Sequence, residues 1–99
     1  MMDNKPLLLK LSGFVPENNR KEFVQTFKLA FSQISSECLE KTLSGDCLVN
    51  GYYHFISLWP SEKALRDFMQ SPEFVLIEGA FETLGTSQKT SRIFNETKT

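Results

Sequence analysis

Apolar residues recur with helical spacing in the first third of the chain, where Phe23, Phe27, Ala30, Phe31 and Ile34 stand at i, i+4, i+7, i+8 and i+11. Arg20, Lys21, Glu22, Gln25, Lys28 and Gln33 fall mainly on the other side. This spacing predicts a helix from Arg20 to about Ser35, opened by the turn Pro16-Glu17-Asn18-Asn19, that lays a phenylalanine stripe onto a sheet. The stripe is core packing or, alternatively, one wall of a ligand site. Ahead of it, KPLLLKLSGFV (Lys5 to Val15) crowds Leu7, Leu8, Leu9 and Leu11 together and predicts a strand covered at least in part on both faces. Lys10 and Ser12 share a face with Leu8 and make that face the wetter one.

From Tyr52 to Leu84 the pattern changes period twice. Aromatic and β-branched residues in YYHFISLW predict a strand that stops at Trp59, because Pro60 has no N–H to offer a continuing ladder. Ser61 then stands as an N-cap, and Ala64, Leu65, Phe68 and Met69 form one apolar face of a short helix, Glu62 to Met69. Ser71-Pro72 repeats the start signal, with proline at a first helical position where its missing N–H costs nothing. Phe74, Ile77, Phe81 and Leu84 follow at i, i+3, i+7 and i+10, and Gly85 is expected to close the helix in a left-handed conformation. Between the halves, Glu37 to Leu43 predicts a strand and Ser44-Gly45-Asp46 a turn, which leads through Cys47 to Gly51 into the strand at Tyr52. Thr86 to Phe94 predicts a last, polar strand, and residues 1–5 and 95–99 are expected to fray.

The order β-α-β-β-α-β in a single domain, combined with right-handed crossovers, predicts an α+β, ferredoxin-like fold: a four-stranded antiparallel sheet with the helices on one face. The other face is left bare. On a 99-residue chain such a face predicts a homodimer through the open sheet face.

Composition narrows the function classes. A net charge of −1, with lysine and arginine scattered, gives no electrostatic footprint for nucleic acid or an anionic membrane. No apolar run reaches the ~20 residues of a bilayer span, and MMDNKPLLLKLSG has too short an apolar segment for a secretory signal, so a cytoplasmic location is expected. Cys38 and Cys47 lack neighbours at metal-ligand spacing and read as thiols in packing or loop positions. There is no glycine-rich phosphate loop and no G-x-S-x-G elbow. Nine phenylalanines supply both core area and the lining a flat organic ligand would want.

A tryptophan closing a strand, then S-E-x-A-L, a short helix into S-P-E-F, and an apolar run ending G-A-F-E-x-L resembles the antibiotic-biosynthesis-monooxygenase family, most sharply from Phe55 to Leu84. The resemblance implies a dimeric α/β barrel of ferredoxin-like subunits. It also implies oxidation of electron-rich aromatic substrates such as hydroquinones by O2 without metal or flavin, in a pocket between sheet and helices. The substrate itself is then the reductant, and the protein supplies a dry aromatic pocket and polar groups that hold an anion.

On this reading His54 and Trp59 are the candidate catalytic residues, and Tyr53, Phe27, Phe68 and Arg92 the candidate substrate contacts. Trp59 matches the family's strand-ending tryptophan, either as a pocket wall offering its N–H or as a plug in the core. His54, the sole histidine, could take a phenolic proton or serve only structure. Strand parity puts Tyr53 rather than Tyr52 with Trp59. Arg92 could pair with an anionic substrate or sit at the sheet edge. The haem-degrading branch of the same superfamily fits poorly: Phe68 and Glu78 stand where it needs a tryptophan and an iron-ligating histidine, and Lys10 where it needs an asparagine. No cofactor and no metal are therefore expected. The alternative to the enzyme is a non-catalytic dimeric barrel that binds a small molecule or serves as a stress-responsive interaction module.

Overall fold

A computed structural model describes residues 6–85 and 90–95. Strand β1 (Leu7–Phe14) leads through a 3-10 turn (Glu17–Asn19) into helix α1 (Arg20–Phe31), then β2 (Glu40–Gly45) and β3 (Tyr52–Trp59), helices α2 (Glu62–Met69) and α3 (Pro72–Leu84), and β4 (Thr90–Asn95). The strands form one four-stranded antiparallel sheet in the order β2-β3-β1-β4. That is the expected ferredoxin-like arrangement, with β1 and β3 in the centre and β2 and β4 at the edges.

Alternation along the central strands separates two faces. Leu9 and Leu11 of β1 and Phe55, Ser57 and Trp59 of β3 are buried toward the helices. Against them pack Phe23, Phe27 and Ala30 of α1, Ala64, Leu65 and Phe68 of α2, and Phe74, Ile77, Ala80 and Phe81 of α3. Leu8, Lys10, Ser12 and Phe14 pair in register with Leu58, Ile56, His54 and Tyr52 on the outer face, which no helix covers.

Helices α2 and α3 begin as their caps dictate. Ser61 Oγ accepts from the Ala64 N–H at 3.1 Å, and Ser71 Oγ from the Phe74 N–H at 3.2 Å, with Pro72 in the first turn of α3.

Four boundaries differ from the sequence reading. Helix α1 ends at Phe31 rather than near Ser35, because the Ser32 hydroxyl bonds back to the Leu29 carbonyl and the Gln33 N–H reaches only to Ala30, tightening the last turn. Strand β2 runs Glu40–Gly45, not 37–43, because a turn closed by Cys38 N–H on the Ser35 carbonyl occupies its expected start. Ser44 and Gly45 thus belong to the ladder, and the hairpin tip begins at Asp46. Gly85 has φ −97° and ψ −175°, extended rather than left-handed. Glycine is required there by proximity: a Cβ would lie 2.6 Å from the Phe81 carbonyl oxygen and 3.0 Å from that of Phe14. The last strand reaches Asn95, into the stretch expected to fray. Its expected start at residues 86–89, and the fraying of residues 1–5 and 96–99, lie outside the described residues.

Candidate functional site

The hairpin tip positions a polar group beside His54 of the outer face. Asp46 Oδ2 accepts from the N–H groups of Leu48 and Val49, each at 2.9 Å, an Asx-type turn that replaces backbone bonds the tip cannot make. The loop closes where Val15 N–H donates to the Gly51 carbonyl at 2.8 Å and Gly51 takes φ +91°, a left-handed value natural to glycine. With the carboxylate so fixed, its Oδ1 lies 3.1 Å from His54 Nε2, and His54 Nδ1 lies 2.8 Å from Ser12 Oγ on the adjacent strand. A carboxylate can only accept, so Nε2 carries a proton toward Asp46, and in the tautomer with Nδ1 unprotonated that nitrogen accepts from the Ser12 hydroxyl. The hydrogen bond from His54, followed by those from the Leu48 and Val49 amides, holds the Asp46 carboxyl below its ordinary range.

Ser12, His54 and Asp46 thus form one continuous chain, from β1 through β3 to the loop. The chain can hold and pass a proton. Ser12, however, lies on a central strand paired with both His54 and Thr90, so the backbone N–H groups around it are committed to ladders rather than free to receive an oxyanion.

On the helix side the aromatic residues divide into two packed groups. Phe27 contacts Phe23, Phe31, Phe55 and Phe81 with ring centroids 4.9–6.0 Å apart, and Tyr53 joins through Phe23 at 5.0 Å. Trp59, fully buried, stacks on Phe68 at 4.6 Å, and Phe68 meets Phe74 edge-on at 5.2 Å. The indole Nε1–H donates to Ser57 Oγ at 2.9 Å, inside the core.

Where α1 passes the edge strand β2, the packing opens into an apolar cleft of about 220 Å³ lined by Val24, Phe27, Lys28, Phe31 and Leu43. Lys41, two residues before Leu43 on the same face of β2, holds its ammonium over the Phe31 ring at 5.9 Å. Cys38 nearby is half-buried, and burial pushes its thiol up. Among the described residues no three His, Cys, Asp or Glu side chains gather as metal ligands would.

The sequence-derived site residues therefore stand in four places. Trp59 and Phe68 touch each other in the core, and Tyr53 and Phe27 belong to the second aromatic group, of which Phe27 reaches the cleft. His54 is on the opposite face of the sheet from Trp59, as alternation along β3 requires. Of Arg92 the structure describes only the backbone, opposite Lys10 in the β1–β4 register. Phe31 stood in the stripe read as core or ligand wall, whereas Val24, Lys28 and Leu43 were not singled out for the site. A signal existed: Val24, Phe27, Lys28 and Phe31 stand at i, i+3, i+4 and i+7, an apolar strip interrupted by one cation.

No protein-family model matches the chain, and no curated protein does. Solved structures do. A candidate antibiotic biosynthesis monooxygenase from Caulobacter crescentus superposes with a TM-score of 0.84 at 15% identity, over 96% of this chain and 92% of the other. The chain has the antibiotic biosynthesis monooxygenase fold. SnoaB, a cofactor-independent oxygenase from Streptomyces nogalater, shares this monooxygenase fold with a TM-score of 0.78 at 18% identity, over 96% of each chain. A conserved protein from Methanosarcina mazei matches with a TM-score of 0.85 at 12% identity, over 95% of each. No helix among the described residues is long and apolar enough to cross a membrane.

Proposed function

We propose that the protein is a cofactor-independent monooxygenase that oxidises a small aromatic or quinol substrate with O2 in the α1–β2 cleft. The observation that carries this reading is a phenylalanine-walled cleft between helix and sheet, within a fold shared with a cofactor-independent oxygenase. The substrate's phenolate gives an electron to O2, and the two combine at a ring carbon. Loss of water then turns that C–H into a carbonyl, so one oxygen atom stays in the quinone, the other leaves as water, and no outside reductant is consumed. Phe27, Phe31, Val24 and Leu43 keep the anion dry, which favours electron release, while the Lys28 ammonium holds it at the rim. Leu8, Tyr52, Ile56 and Leu58 on the outer face support a homodimer paired through it, and free thiols at Cys38 and Cys47 suit a cytoplasmic location.

The test is oxygen uptake by the purified protein over a panel of reduced quinols and polyphenols. The partly exposed Leu43→Trp variant, which fills the cleft, is the control. Saturable uptake above autoxidation that this substitution abolishes, with one atom of labelled O2 in the product, supports the proposal. Absence of uptake across the panel refutes it. A second reading, a binding protein without catalysis, is favoured by one observation: the cleft is lined by Val24, Phe27, Lys28, Phe31 and Leu43, while the candidate catalytic residues His54 and Trp59 stand elsewhere. Binding in the cleft without uptake would select it.

A further inference from the structure

The cleft carries an asymmetry that an apolar pocket does not need. Its lining includes one cation, Lys28, and no carboxylate. A second cation, Lys41, stands over the Phe31 ring that forms part of that lining. One lysine comes from the helix and the other from the edge strand. Neither makes an ion pair among the described residues, although helix α2 pairs Lys63 with Asp67 and Arg66 with Glu62. Two ammonium groups at an apolar cleft, without a carboxylate in its lining, create a positive potential over a low-dielectric floor, where a charge is screened less than in open water.

We infer that the ligand of the α1–β2 cleft is an amphipathic anion: an aromatic body seated on Phe27, Phe31, Val24 and Leu43, bearing a carboxylate held between Lys28 and Lys41. This deepens the proposed function and rests on the cleft being its substrate site. A carboxylated phenol or quinol satisfies both, the carboxylate fixing orientation and the phenol supplying the electrons. The lysine stems can lie along the apolar walls while their ends reach the anion, so the two cations add charge recognition without breaking the dry lining.

The experiment compares 2-naphthoate with its uncharged counterpart 2-naphthamide by titration calorimetry against the full chain. The expected result is naphthoate binding about five- to tenfold tighter than the amide, as two rim ion pairs of modest strength would give. Added salt should shrink that preference. Lys28→Gln with Lys41→Gln should abolish the preference, bringing acid and amide to equal affinity, whereas Leu43→Trp should weaken both ligands equally. Equal affinity for acid and amide, or a preference that survives loss of both lysines, overturns the inference while leaving the oxygenase proposal to its own uptake assay. Charge-selective binding without oxygen uptake sustains the inference and removes the oxygenase. If neither ligand binds, the cleft is not a site for such molecules and the inference falls.

Discussion

The hydrogen bond from Trp59 to Ser57 decides whether the tryptophan is a pocket wall or a plug, and removing its acceptor tests this. Both residues are fully buried, and the Nε1–H to Oγ distance is 2.9 Å. In Ser57→Ala the indole N–H keeps its burial and loses its partner, so the substitution should cost the desolvation of an orphaned donor, about 1–3 kcal/mol. Trp59→Phe strands the Ser57 hydroxyl, thins the stack on Phe68 and opens space, and should cost about 2–4 kcal/mol. Adding Ser57→Ala to Trp59→Phe should then cost almost nothing further, because neither polar group is left unmatched. The cycle predicts a coupling of about 1–3 kcal/mol between the sites, read as shifts in urea midpoint at unchanged slope. If Ser57→Ala instead stays within about 0.5 kcal/mol of the parent, the indole N–H has found another acceptor. Trp59 would then border a cavity, and the plug interpretation would be wrong. The same reasoning makes Trp59→Ala a poor activity control: a loss of about 3–5 kcal/mol is a large share of the ~5–15 kcal/mol that holds a domain folded, so a change in activity would report core damage as readily as a lost substrate contact.

Two further outcomes follow from the hairpin tip. Because hydrogen bonds depress the Asp46 carboxyl in the folded state, it contributes stability that is fully present above about pH 4, where the unfolded carboxyl is ionised, and that fades as pH falls through the lower folded value; Asp46→Asn should flatten that part of an acid-unfolding curve and leave its neutral end sloping as before. Gly51→Ala should cost about 1–2 kcal/mol in chemical denaturation, since φ +91° is unfavourable to an L side chain and the added Cβ would meet the Arg20 guanidinium and the Phe14 ring.

Helices α2 and α3 could be read from sequence to the residue because their boundaries are set locally: Ser61, Ser71 and Pro72 act within one turn of themselves. Strand β3 was equally legible in its bounds, but the pairing of His54 with Trp59 in one pocket set aside the alternation that puts them on opposite faces. The end of α1 was not, since neither glycine nor proline marks it and the Ser32 hydroxyl unwinds it through a bond any serine could decline to make. The partners of His54 were hidden for a different reason. Ser12 is 42 positions away, and only the strand register brings it opposite. Asp46 looked like an ordinary turn residue. The cleft was hidden more deeply, because its width is the separation between a helix and an edge strand, which no spacing of residues along the chain encodes.

That edge strand has a dynamic consequence. Leu43 and Lys41 lie on β2, which is hydrogen-bonded to β3 on one side and to nothing in the sheet on the other. The opposite wall, α1, is anchored by Phe23 and Phe27 in the core. Widening the cleft therefore requires the partial peeling of one six-residue ladder and leaves the central strands intact. A molecule larger than the resting space could enter by borrowing that local opening, and its rate of entry would then follow the fraying of β2 rather than the stability of the domain.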